Sequence, residues 1–396
     1  MRLFISSTNT STTNTSSSMH VPQGQFVLHR RPLRRNELLR AWDAADEYLL
    51  SEVAKRLPSE SGKDTRILIV NDSFGALAVA LSSWSPQTWS DSLLSQLATR
   101  DNCRTNDIDL STITEVDSLK LPIAPLDVVL IRVPKTLALL EDQLIKLRPL
   151  LTSDTQVFVA GMVKALPRSV WPMLETLLGA VQTMPAVKKA KLIGVTPDLT
   201  RPLSKNPYPV TYPLEGTDWL ISNHANVFSR NSLDIGTRFF LEHLPYISGA
   251  RDIVDLGCGN GVVGLKSASQ HSNATVHFVD ESFMAVASAK ENIERAFGAA
   301  HRAAFHVSDG LEGFAPASVD LVLCNPPFHQ QHAVGDQIAK RFFRQVHTVL
   351  RPGGELWVIG NRHLGYHVTL KRLFGNADVV ASNAKFVILR AVRRST

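Results

Sequence analysis

The chain has 396 residues, 44% hydrophobic and 20% charged, with a formal net charge of +6. That length predicts two domains, each burying its own core, and the composition excludes a chain that is disordered throughout. Three cysteines, Cys103, Cys258 and Cys324, stand far apart without a CxxC pair, which argues against a disulfide framework or a zinc site and for a reducing cytoplasm.

Residues 1–18, with their run 6-SSTNTSTTNTSSS-18, lack the basic and apolar regions of a secretory signal and read as a disordered tail. Met19 follows directly and is an alternative start to Met1. The cluster 29-HRRPLRR-35 reads equally as a phosphate-binding patch or as a solvated arginine-rich surface, whereas 188-KKAK-191, 340-KR-341 and 371-KR-372 read as solvated surface. Next, 66-RILIVNDSFGALAVAL-81 predicts a strand, a loop and a helix, and 127-DVVLIRVPK-135 predicts another strand. Apolar runs such as 67-ILIV-70 and 128-VVLI-131 are far shorter than the ~20 residues of a membrane span, so no membrane partner is expected. Prolines crowd 197-PDLTRPLSKNPYPVTYP-213, which marks a linker.

The C-terminal half alternates strands and helices. The run 252-DIVDLGCGNGVVGL-265 is a strand, a glycine loop and a helix start; 275-TVHFVD-280 is a strand, followed by a helix through 282–297. A short strand precedes 307-VSDG-310, strand 319-VDLVLC-324 runs into 325-NPPF-328, and a helix spans 337–350. The segment 351-RPGG-354 predicts a turn into strand 355-ELWVIG-360, and 385-KFVILRAV-392 closes the chain. This rhythm predicts a parallel-dominated α/β sheet with ligands at the carboxyl ends of its strands. Set beside it, the N-terminal half looks like a worn duplicate. Gly75 stands at the place of Gly261, but Ile69, Asn71 and Ser73 replace Asp255, Gly257 and Gly259, and Arg132 and Val133 replace Asn325 and Pro326. The expected fold is therefore α/β, two tandem Rossmann-like domains from a duplication: a degenerate copy over 19–205 and a catalytic copy over 206–396.

Gly257, Gly259 and Gly261 open a cofactor site, because a backbone turning from strand to helix beside a ligand has no room for a Cβ. Asp255 before them can accept from a cationic amino group or organise the amides around it, and its charge is unwelcome beside a dinucleotide's phosphates. Asp280, ending the next strand, suits two ribose hydroxyls, and Asp309 is placed for an adenine amino group. Together these acids favour S-adenosylmethionine. Asn325 and the Pro326 carbonyl, held by the rigid Pro326–Pro327 pair, offer acceptors to the N–H groups of a delocalised nitrogen, and Phe328 offers a face for stacking. Amide and base amino groups both remain open at this point. His329 and His332 lack a further acid or cysteine ligand nearby, so no metal is expected.

These motifs resemble the class I methyltransferases of the ribosomal RNA guanine-N2 group. The runs 214-LEGTDWLISNHANVFSR-230, 254-VDLGCGNGVVGL-265, 278-FVDESFMAVAS-288 and 323-LCNPPFHQQHA-333 look like the group's large-subunit members, as do 41-AWDAADEYLL-50 and 132-RVPKTLALLE-141. The resemblance covers nearly the whole chain after residue 40. It implies methylation of N2 of one guanine in 23S rRNA, position 1835 in standard ribosomal numbering, by a chain whose first copy is inactive; that copy is expected to grip RNA, and the protein is expected to be a monomer. It carries cofactor binding to Asp255, Gly257, Gly259, Gly261, Asp280 and Asp309, and catalysis to Asn325, Pro326, Pro327 and Phe328. Rival expectations are a small-subunit (16S) rRNA guanine-N2 enzyme, a protein-glutamine N5 methyltransferase, and a non-catalytic RNA-binding assembly factor.

Overall fold

The computed structural model describes residues 17–33, 37–57, 64–298, 302–326 and 332–395, without the side chains of 332–336. It opens with a hairpin of β1 (Ser18–Val21) and β2 (Gly24–Val27). Helix α1 (Ala44–Arg56) starts on a capping box, in which the Asp43 side chain accepts from the Ala45 N–H and Asp46 accepts from the Asp43 N–H. There follow β3 (Ile67–Val70), α2 (Ala76–Ala80), β4 (Gln87–Ser90), α3 (Leu93–Thr105), β5 (Thr114–Asp117), β6 (Val128–Arg132) and α4 (Leu137–Leu147). β7 (Gln156–Met162), α5 (Val170–Leu177), β8 (Gly179–Thr183) and β9 (Ala190–Pro197) complete the first half.

The second half repeats the plan: a hairpin of β10 (Val210–Pro213) and β11 (Leu220–Asn223), then α6 (Ile235–Leu241), β12 (Asp252–Leu256), α7 (Val262–Gln270), β13 (Thr275–Asp280) and α8 (Phe283–Phe297). β14 (Ala303–Val307), β15 (Val319–Cys324), α9 (His332–Val349), β16 (Leu350–Asn361), α10 (Tyr366–Phe374), β17 (Asp378–Ser382) and β18 (Phe386–Val392) close it. The two seven-stranded sheets run β5-β4-β3-β6-β7-β9-β8 and β14-β13-β12-β15-β16-β18-β17, one topology used twice. All pairings in them are parallel except those of the last two strands, β9 with β8 and β18 with β17, which are antiparallel along with their junctions to β7 and β16.

The all-apolar strand β3 is buried on both faces, as a central parallel strand must be. Its two-residue period sends Ile67 and Ile69 into the core under α1 and α2, and Leu68 and Val70 into the core under α4 and α5. β12 repeats this, with Ile253 on one side and Val254 and Leu256 on the other.

Three sequence expectations change. Ser17 and Ser18, assigned to the tail, belong to the first hairpin, since the Ser17 carbonyl accepts from the Leu28 N–H and Ser18 pairs with Val27. Residues 1–16 lie outside the described residues. The proline-rich stretch 197–213 is linker only between Pro197 and Val210, because Tyr212 pairs with Ile221 and is buried. The turn expected at 351–354 lies within β16, with Gly353 at φ 81° and its N–H donating to the Arg393 carbonyl.

The copies meet where α3 and α8 begin. Ser92 and Ser282, the two N-caps, form an antiparallel bridge; Leu93 N–H donates to the Glu281 carbonyl, and Phe283 N–H to that of Asp91. The Asp91 carboxylate is buried there and accepts from Ser118 and Ser282 Oγ at 2.6 Å, Asn226 Nδ2 at 2.7 Å and Met284 N–H at 2.8 Å. Around it Ala138 and Leu139 of the first half pack with Ala225, Val227 and Met284 of the second.

Candidate active site

β12 and β15 are neighbours, with Leu256 opposite Cys324. The glycine loop and the Asn325 loop therefore leave the same sheet edge side by side. Gly257, Gly259 and Gly261 all have left-handed φ, of 72°, 54° and 77°. Their surroundings differ. A Cβ on Gly257 or Gly259 meets nothing within 4 Å, whereas one on Gly261 would lie 2.6 Å from the Ala289 Cβ and 2.9 Å from its Cα. The first two keep a cradle open, and the third brings α7 against α8. In the N-terminal copy the same position, Gly75, faces Thr99 Cα at 2.7 Å. That explains why only this glycine of the three survives there.

Gly261→Ala is expected to cost about 2–4 kcal/mol, adding overpacking to backbone strain, and Gly259→Ala only about 1 kcal/mol. Urea denaturation of the two variants checks the difference.

Buried amides hold the loop from behind. Asn292 Nδ2 donates to the carbonyls of Ser222 and Asn260, and Asn260 Nδ2 donates to Asn223 Oδ1 and Tyr212 Oη. In the first copy Asn102 makes the same bridge between His29 and Phe74. The arginine cluster is thus the counterpart of 222–224. Arg31 donates to Asp101 as His224 bonds Glu291, and Arg30 lies 4.7 Å from the Phe74 ring centre. Arg31 and Arg30 are thus engaged within the protein, Arg31 also lying 3.5 Å from Asp309 of the other half, rather than forming a freely solvated surface; Arg34 and Arg35 lie outside the described residues.

Asp255 is buried and its Oδ2 accepts from the Gly264 N–H at 2.8 Å, a contact of the amide-organising kind. Burial, with Asp280 adding repulsion, pushes its carboxyl from 3.8 up to about 8. Ionising it therefore opposes folding as pH rises across that interval. The melting temperature of the protein should fall from about pH 4 to about pH 8, and Asp255→Asn should flatten that fall. Asp280, whose carboxyl burial also raises, retains its share. An unchanged slope in a thermal-shift series would show that Asp255 ionises freely.

Asp280 is aimed by two backbone donors at 3.0 Å, Gly259 N–H to Oδ2 and Ser282 N–H to Oδ1. By strand register its counterpart in the first copy is Ser90, since the Trp89 and Val279 carbonyls each receive the first loop N–H, from Asn71 and Gly257. That cradle is filled: Asn71 bonds Gln143 and the Arg132 carbonyl, and the Asp72 carboxylate takes the Ala76, Leu77 and Ala78 N–H groups.

Asp309 departs from expectation. Its side chain is 2% exposed and ion-paired to Arg341, with Arg31 Nη2 of the other half at 3.5 Å. Its carboxylate meets two guanidinium groups on the wall of a cavity. A cavity of about 390 Å³ beside it is lined by Arg30, Arg31, Asp101, Glu312 and Arg341.

Asn325 is partly buried directly after β15. Its Nδ2 donates to Thr237 Oγ1 at 3.0 Å, and its buried Oδ1 has no hydrogen-bond partner among the described residues. Pro326 is buried beside it; Pro327, Phe328 and His329 lie outside the described residues, as does the His332 side chain. In the first copy Arg132 holds Asn325's place and is ion-paired to Asp43 at 2.8 Å and Asp46 at 3.3 Å, which leaves no free acceptor there. Sequence reasoning missed Thr237, Asn260 and Asn292. The matched asparagines 102 and 292, each ten residues beyond a helix-capping serine, were the available signal for the last.

A family model described as the RLMG N-terminal domain matches residues 16–199, and one described as the methyltransferase small domain matches 218–390. The chain is 50% identical over 375 residues to the ribosomal RNA large subunit methyltransferase G of Aeromonas hydrophila, covering 93% of this chain and 97% of that one. It is 49% identical to the protein of that name from Stutzerimonas stutzeri, covering 95% and 99%. Among solved structures, the T. Thermophilus 16S rRNA N2 methyltransferase in complex with AdoMet and guanosine shares the fold, with TM-score 0.74 at 19% identity over 95% of this chain and 97% of that one.

Proposed function

The chain belongs to the ribosomal RNA large subunit methyltransferase G family, and from that premise we propose that it methylates the exocyclic N2 amino group of one guanine in 23S rRNA. The observation that carries this reading is the Asn325 amide, whose Nδ2 is committed to Thr237 while its buried Oδ1 has no partner among the described residues. S-adenosylmethionine, the cofactor, supplies an electrophilic methyl group. The residues present fit it, because the open side of Gly257 and Gly259 is space that any Cβ would fill. Gly257, Gly259 and Gly261 would hold it, Asp280 would take its ribose hydroxyls, and Asp255 would brace the loop from within. Asp309 would receive its adenine amino group once released from Arg341.

Asn325 Oδ1 and the Pro326 carbonyl accept hydrogen bonds from the two N–H groups of the guanine amino group. Electron density withdrawn into the ring is thereby kept on nitrogen as it attacks, and the gain comes from donors and acceptors already in place. Pro327 stiffens the loop, and Phe328 stacks on the base. The degenerate copy, residues 19–205, grips RNA through shape and phosphates while the catalytic copy, 206–396, takes the extruded guanine. Cys103, Cys258 and Cys324 are free and buried, which suits the cytoplasm. Among the described residues no helix is long and apolar enough to cross a membrane.

Mass-spectrometric mapping of rRNA nucleosides from a deletion strain tests the reading. One N2-methylguanine should vanish from 23S rRNA and return on complementation. Its loss from 16S rRNA instead would assign the small subunit, and loss from neither would overturn the proposal.

A further inference from the structure

We propose that Thr237 is the positioning residue that decides which end of the Asn325 amide faces the methyl acceptor. The inference rests on Asn325 accepting from the guanine amino group. A side-chain amide has two ends of nearly equal size, one accepting and one donating two protons. Turned the wrong way, Asn325 would present N–H to N–H and repel the group it must polarise.

A relay of fixed polarity sets the choice. The Asp234 carboxylate caps α6 by accepting the Thr237 N–H at 2.9 Å, and its Oδ2 also lies 3.4 Å from Thr237 Oγ1. A carboxylate only accepts, so the threonine proton points to Asp234 and the hydroxyl lone pairs face away from it. Asn325 Nδ2 lies 3.0 Å from those lone pairs and donates to them. Oδ1 is then left on the opposite side, buried and without a partner among the described residues. Thr237 is itself 7% exposed, which limits competition from water.

The first copy serves as an internal control. There the cap Asp43 and the residue three further on, Asp46, stand at the positions of Asp234 and Thr237, and both face Arg132 rather than an asparagine. Where the amide is gone the hydroxyl is gone with it. The contact between the start of this helix and the carboxyl end of β6 or β15 is kept in both copies, but only the second leaves an oriented acceptor.

The test compares Thr237→Val, which keeps the shape and removes the hydroxyl, with Thr237→Ser, which keeps the hydroxyl. Thr237→Val should lower kcat on rRNA roughly 10- to 100-fold, the scale of losing preorganised orientation. The S-adenosylmethionine Kd by calorimetry and the RNA KM should stay within about 3-fold, and Thr237→Ser should restore kcat to within about 3-fold of the parent. In nitrogen-15 NMR the Asn325 side-chain NH₂ signals, assigned by their loss in Asn325→Asp, should move in Thr237→Val and hold in Thr237→Ser. A Thr237→Val enzyme with parental kcat, a loss that serine does not rescue, or a loss confined to cofactor Kd overturns the inference. If the parent transfers no methyl group to rRNA, the proposed function fails, and the NMR comparison alone decides the positioning role.

Discussion

Asn325→Ala should bind S-adenosylmethionine within about 3-fold of the parent while its methyl transfer falls at least ~100-fold, the scale of removing one preorganised transition-state partner. The two halves of this expectation rest on different parts of the structure. In the proposed reading cofactor affinity depends on the glycine loop, and that loop is fixed by Asn292 and by the Gly259 N–H bond to Asp280. None of those contacts passes through Asn325. Transfer depends on a nitrogen whose lone pair is shared with a purine ring, and the substitution removes the acceptor that keeps density on it. Alanine also leaves Thr237 Oγ1 without its donor, but Asp234 still accepts from the Thr237 N–H at 2.9 Å and from its hydroxyl at 3.4 Å, so the helix start should survive. Single-turnover kinetics with rRNA and calorimetry with the cofactor separate the two quantities. Near-parental turnover would remove Asn325 from the chemistry.

The features legible in the sequence are those where chemistry and backbone constrain neighbouring residues together. The glycine loop declared itself because a strand-to-helix turn beside a ligand restricts three positions within five residues, and Asn325 because it directly follows a buried strand. The worn duplicate was legible for the same reason, down to Arg132 at the place of Asn325. Contacts arriving from far along the chain were not legible. Thr237 is 88 residues from Asn325, and nothing in 234-DIGTRFF-240 signals that its hydroxyl closes on the asparagine loop. The partners of Asp309 are Arg341 of a later helix and Arg31 of the other domain, which no local pattern encodes. The arginine cluster left two readings open because four like charges show no partners in sequence, and the partners of Arg31, Asp101 and Asp309, are 70 and more residues away. Composition also misled at 210-VTYP-213, where prolines suggest a linker. A proline at the end of a two-stranded ribbon donates nothing that the ribbon needs.

Removing residues 1–200 should reduce rRNA methylation at least ~100-fold, because the phosphate and shape contacts proposed for the first copy go with it. Cofactor binding should persist, weakened by no more than about 10-fold. The second copy supplies its own backbone donors to both acids of its loop, Gly264 N–H to Asp255, and Gly259 and Ser282 N–H to Asp280. Asp309 keeps Arg341 when it loses Arg31. What the cut does remove is Asp91, which accepts from Ser282 Oγ and the Met284 N–H and so steadies the turn that aims Asp280. It also uncovers Ala225, Val227 and Met284, a small apolar face that the first copy covers. Both effects reach the glycine loop only through Asp280, whose bonds from the Gly259 and Ser282 N–H groups remain, so they should lower affinity without abolishing it. Calorimetry with the cofactor serves at once as the measurement and as the proof that the fragment has folded. A fragment that binds S-adenosylmethionine and still methylates rRNA would take the first copy out of recognition and leave it only the bracing of Asp280 through Asp91.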